Sequence, residues 1–179
     1  MRVRILLALA AVTAAAALLA TGALATSAKH PPKAPKPTTK QPKSTTKQSK
    51  LENRALFAVM TGRKEVDANG NRRSGDPDGF GSFTAIVKST QLCFGMTVKN
   101  VDQPVAAHIH KARPNQAGPI VVPLTQPATG DPGASSGCVT VDPALAAAIL
   151  KNPHKYYVNI HTTAFPGGAV RGQLFGKSH

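Results

Sequence analysis

The sequence has no tryptophan, two tyrosines and six phenylalanines, so aromatics make up 4% of its 179 residues. Aliphatic side chains must therefore fill any core, and a stacking platform for nucleic-acid bases has almost nothing to build on. There are two cysteines. That excludes a Cys-rich mini-protein scaffold and a four-cysteine zinc site, and leaves room for one disulfide. Acids are scarce, with eight Asp and Glu against 22 Lys and Arg and a formal net charge of +14. Residues 1–50 hold no acid and nine of the basic residues, so the rest of the chain carries only +5. Most of the charge excess lies outside any folded core. There is no internal repeat and no G-x-S-x-G elbow, and so no hydrolase signature of that kind. Asp76 and Asp78 stand in Ser74-Gly75-Asp76-Pro77-Asp78-Gly79, which reads as a turn, or else as a calcium loop.

What is present begins with a basic start, Met1–Arg4, and an uncharged Ala/Leu-rich run, Ile5–Ala25, ending in Ala23-Leu24-Ala25. This reads as a secretory signal peptide over 1–25, cut after Ala25. An uncleaved anchor is the alternative, since such a run can span about 30 Å of hydrocarbon. No cysteine lies near the cut and Arg2 and Arg4 are not adjacent, against a lipoprotein or a twin-Arg signal. The protein is expected to be secreted or associated with the cell envelope.

Residues 26–50 form a linker whose Lys29–Lys50 stretch reads KHPPKAPKPTTKQPKSTTKQSK. With almost no apolar side chain it is expected to be disordered and extended, reaching on the order of 60 Å. Its lysines suit an anionic cell-wall polymer or lipid surface; a plain solubilising spacer is the other reading. Lysines without interleaved aromatics give no sequence-specific nucleic-acid binding.

From Leu51 onward, Gly, Pro, Asn and Asp clusters separate short apolar runs at roughly ten- to fifteen-residue spacing, the mark of an all-β sandwich or barrel. Strands are predicted at Ala55–Thr61, Gly79–Val87, Gln91–Asn100, Val105–His110, Ile120–Leu124, Ser136–Val141, Tyr156–Thr162 and Ala169–Phe175. One helix is predicted, Pro143–Lys151, with Asp142 as N-cap, Pro143 in its first turn and Asn152-Pro153 ending it. Cys93 and Cys138 fall on two of the strands. In an exported protein they are expected to pair, the alternative being two buried thiols.

His108-Ile109-His110 places two imidazoles on one face of a strand, and His161 supplies a third from Tyr157-Val158-Asn159-Ile160-His161-Thr162. Two histidines on one strand and one on another can hold a single copper or zinc ion. Glu65, Asn159, Arg171 and Gln173 are the polar candidates to surround it. Arg171 is placed to hold Glu65 or a bound anion. The competing reading is a buried polar network that binds nothing. Arg63, Lys64, Arg72 and Arg73 flank a loop and read as solvated charge. His30, His154 and His179 receive no role.

Several segments together resemble the CHRD domain family. They are Phe57-Ala58-Val59-Met60-Thr61-Gly62-Arg63-Lys64-Glu65-Val66, Ala107-His108-Ile109-His110 with Gly118-Pro119-Ile120-Val121-Val122-Pro123-Leu124, Tyr157–Thr162, and Pro166-Gly167-Gly168-Ala169-Val170-Arg171-Gly172-Gln173-Leu174. The family's usual proline after Glu-Val is Asp67 here, and a disulfide is not general to it. The resemblance implies an extracellular β-sandwich-like domain, immunoglobulin-like or superoxide-dismutase-like, over residues 51–179. It implies no settled activity and no named protein ligand. The further histidines of a two-metal dismutase site are missing, so a non-enzymatic binding module is expected, with a metal-handling or redox protein as the alternative.

Overall fold

A computed structural model describes residues 54–176. The signal-peptide and linker readings lie outside the described residues. Eight strands and a short ninth form one antiparallel sheet: β1 (Arg54–Thr61), β2 (Phe80–Val87), β3 (Gln91–Lys99), β4 (Pro104–Lys111), β5 (Ile120–Leu124), β6 (Gly133–Thr140), β7 (Tyr156–Thr162), β8 (Val170–Gln173) and β9 (Phe175–Gly176). The spatial order is β5-β4-β7-β8-β1-β2-β3-β6, with β9 beside β1. The sheet curls into a nearly closed barrel, so of the two expected forms it takes the barrel.

Period-2 alternation decides what lies inside. In β2, Gly81, Phe83, Ala85 and Val87 are buried while Phe80, Ser82, Thr84 and Ile86 are exposed. Leu56 and Met60 of β1, Phe94 and Met96 of β3, Ile109 of β4 and Val158 and Ile160 of β7 join one aliphatic-rich core. Each such side chain contributes about 1.5–3 kcal/mol on burial. Helix α1 (Pro143–Lys151) closes over this core with Ala146, Ile149 and Leu150. It starts where expected: the Asp142 carboxylate accepts from the Ala144 and Leu145 amides at 2.8 and 3.1 Å.

The two sheet edges are protected differently. β5 carries Pro123, tolerated at an edge where no partner needs its missing N–H. β6 is fastened by the disulfide between Cys93 and Cys138, directly opposed in the β3–β6 ladder. At a sequence separation of 45, the loop-entropy model assigns this link about 4 kcal/mol at most. The final strand, predicted as one run, divides at Leu174. That side chain turns into the core, and its N–H donates to Tyr156 O at 2.9 Å.

Candidate metal centre

In β4, Ala107 and Ile109 point into the core; in β7, Val158 and Ile160 do. Alternation therefore turns His108, His110, Tyr157, Asn159 and His161 to the outer face. The pairing register sets His108 beside Asn159 and His110 beside Tyr157, and β8 adds Arg171 beside Asn159 and Gln173 beside Tyr157. The outer face thus carries two polar rows, His108–Asn159–Arg171 and His110–Tyr157–Gln173.

An outer face of a small barrel is ordinarily wet, but Glu65, Asn159 and Arg171 are only 1–2% exposed. Three loops cover them. The first follows β1 and delivers Glu65; it is pinned by Asp76 N–H to Ala169 O at 2.8 Å. The second follows β7 and contains Gly168, whose φ of +136° already favours glycine. A Cβ there would also run into Glu65 Oε2. The third follows β4, and its carbonyls receive donors from the polar rows: Arg171 Nη2 to Arg113 O at 3.1 Å, Gln173 Nε2 to Ala112 O at 2.8 Å.

The histidines are held by the same loops. His110 Nδ1 lies 2.8 Å from Gly118 O, and His161 Nδ1 lies 2.9 Å from Pro166 O. A carbonyl only accepts, so both Nδ1 atoms carry the proton and both Nε2 atoms present lone pairs. His161 Nε2 stands 3.2 Å from His108 Nδ1 and 3.0 Å from Asn159 Oδ1, itself an acceptor. His110 Nε2 is buried with no hydrogen-bond partner. Among the three rings, acceptors converge, and His108 brings the only ring proton not already given to a carbonyl.

One nitrogen from each histidine can be chosen so that all lie within 4.8 Å of one another. Zinc–nitrogen bonds of about 2.0–2.1 Å put tetrahedral ligands roughly 3.3 Å apart. The His108–His161 separation of 3.2 Å already matches. The widest remaining gap would close by at most about 1.5 Å. The three predicted ligands therefore share one face and one cluster.

Burial and the neighbouring imidazoles lower the His108 pKa to about 4. Burial also lowers His110 and His161. All three rings are neutral at pH 7, the form that ligates metal. Burial raises the Glu65 carboxyl, against the opposing pull of the Val66 amide, Arg171 and Asn159.

The predicted surrounding residues divide. Asn159 sits among the histidines, and its amide also approaches Glu65 and His110. Neither approach is a well-formed hydrogen bond, since Glu65 Oε2 and His110 Nε2 remain unpartnered. Arg171 meets Glu65 loosely, Nη1 to Oε1 at 3.9 Å. Gln173 faces main-chain carbonyls of Ala112 and His154 and serves the scaffold. Sequence reasoning overlooked Tyr157. Its ring stacks on His110 with centroids 4.8 Å apart, and the Arg171 guanidinium lies 3.4 Å from its centroid. The signal was available, because Tyr157 alternates with Asn159 and His161.

Fold and site together define a small antiparallel β-barrel domain with a loop-covered cluster of three histidines on its outer face. The CHRD domain matches residues 56–174, from β1 through Leu174, and the chain belongs to the CHRD domain family. No curated protein and no solved structure matches it.

Proposed function

We propose that the protein is an exported binding module whose CHRD domain holds one transition-metal ion, zinc or copper, on His108, His110 and His161. The carrying observation is the proton inventory: Nδ1 of both His110 and His161 is committed to a main-chain carbonyl, leaving the other nitrogens turned toward one another as acceptors. A carbonyl on the far ring nitrogen is the usual support of a metal-ligating histidine. A self-satisfied polar network is the weaker reading, because such a network stabilises only when its buried members are paired. His110 Nε2, Glu65 Oε2 and Arg171 Nη1 are buried without hydrogen-bond partners. The reading is of a metal carrier rather than an enzyme: both cysteines are committed to the disulfide, and no nucleophile–base pair accompanies the histidines among the described residues. Export is supported by the basic, apolar and small-x-small order of residues 1–25, and the lysine-rich linker suits an anionic wall or lipid surface.

The test is to recover the chain from its export compartment, sequence its N-terminus and measure bound metal. The expected result is a start at Thr26 and one zinc or copper per chain, lost in His110→Ala and kept in His154→Ala. A chain that binds neither metal at micromolar concentration overturns the metal reading, and an intact Met1 on cytosolic protein overturns export.

A further inference from the structure

Beyond Arg171, on the side away from the histidines, the outer face over β8 and β1 opens into a cleft of about 620 Å³. The sequence places Arg63, Lys64, Arg72 and Arg73 around one loop as solvated charge, and all four are exposed. The fold also gathers Arg63, Lys64 and Arg72 around this cleft with Arg171 and Asn115. Arg63 and Lys64 arrive on the short 3-10 turn that follows β1. Arg72 is brought back by a turn that Asp67 organises: its carboxylate accepts from the Asn69 and Asn71 amides at 2.9 and 2.8 Å. A bridge from Val66 to Arg72 closes the loop. Asp67, standing where the family usually has proline, thus shapes one wall of the cleft.

The charge here is available. Among the described residues neither Arg63 nor Arg72 makes an ion pair or a side-chain hydrogen bond. Lys64 gives one bond to Val59 O at 2.8 Å and has donors to spare. Arg171 also lines the cleft but is 2% exposed, its guanidinium already engaged by Arg113 O, the Tyr157 ring and, at 3.9 Å, Glu65. No acidic side chain lines the cleft. Two unpaired arginines, Arg63 and Arg72, lining one cleft offer forked donors of the kind that match the two oxygens of a carboxylate or phosphate. The lining also includes the apolar side chains Val59 and Phe175, which are 56% and 52% exposed. The volume lies within the roughly 300–1,000 Å³ range of small-ligand sites.

We infer that this cleft binds an oxyanion, phosphate or carboxylate, carried on a sugar-sized body whose carbon face rests on Phe175 and Val59. The site is separate from the histidines and does not depend on a metal. It also moves anion recognition onto the folded domain, apart from whatever the linker lysines do.

The test is a titration of the 15N-labelled chain, linker included, with glucose 6-phosphate, glucuronate and glucose, read by amide shifts. Saturable shifts at Arg63, Arg72 and Asn115 are expected with at least one anion and not with glucose. Phosphate alone or glucuronate alone assigns the anion class. The exposed double variant Arg63→Ala/Arg72→Ala should weaken binding at least tenfold, with core amides unmoved. The inference is overturned if neither anion gives saturable shifts, if glucose shifts the same amides, if shifts are confined to Lys29–Lys50, or if the double variant binds as well as the parent.

Discussion

Over β4, β7 and β8 the outward side chains include histidine, tyrosine, asparagine, arginine and glutamine, and loops bury His110, Tyr157, Asn159 and Arg171 and half-bury His108, His161 and Gln173. Over β1 and β2 the outward side chains include Phe57, Val59, Phe80 and Ile86, and they stand 39–56% exposed. Both halves come from the same strand alternation. Transfer energetics alone favour the opposite arrangement, with apolar groups covered and polar groups wet. The covering loops therefore contribute little by desolvation where they lie. Folds break their own patterning rules mainly at functional sites. A half-barrel that hides ionisable groups while leaving phenylalanines in water is such a break.

The largest expected effect comes from breaking the covered half at Arg171. Arg171→Ala removes the guanidinium from Tyr157, Arg113 O and Glu65, and leaves the Glu65 carboxyl buried. Loss of one partner of a buried ion pair costs about 3–5 kcal/mol. Urea unfolding should show that loss, with the m-value unchanged. A cost under about 1 kcal/mol would mean that the polar rows are not a coupled buried unit, and the contrast between the halves would dissolve.

Much of this contrast is legible in the sequence, and the reasons differ by element. The helix is exact to the residue because Asp142, Pro143 and Asn152-Pro153 are local signals. The strands are placed within a residue or two, except the start of β6 and the split at Leu174. Alternation also brings His108, His110 and His161 to one face correctly. It cannot tell whether that face is wet or covered, because cover is supplied by irregular loops without periodicity. The burial of Glu65 depends on Gly168, about a hundred residues later in the chain. The cleft was not legible for the same reason: Arg63 and Arg72 are exposed loop charges, as read, and only the Asp67 turn and β8 bring them to one cleft with Arg171.

A smaller effect sharpens the comparison through pH. Unfolded imidazoles protonate near pH 6.5, whereas burial and its neighbours hold folded His108 neutral down to about 4. Between these values the unfolded chain binds more protons, so metal-free stability falls as pH drops from about 6.5 to about 4. Glu65, raised by burial, works in the opposite sense, favouring the fold at low pH and losing that contribution as pH rises through its folded pKa. The informative readout is therefore the difference between parent and His108→Ala. Thermal midpoints of the parent should fall more steeply across that window, and parallel curves would show that the covered half does not hold His108 neutral.

The smallest effect belongs to the exposed half. Ile86→Thr keeps a β-branched side chain on β2, so strand propensity is nearly preserved. Ile86 is 48% exposed and its inward neighbours Ala85 and Val87 are untouched. The expected change is within about 0.5 kcal/mol, as for other surface sites without special contacts. Anion binding at the cleft and the pH slope should also stay where they were. A cost above about 1 kcal/mol that grows with protein concentration would mean that a second copy covers this face in solution. The two halves would then differ in what covers them, loops on one side and another chain on the other, rather than in whether they are covered.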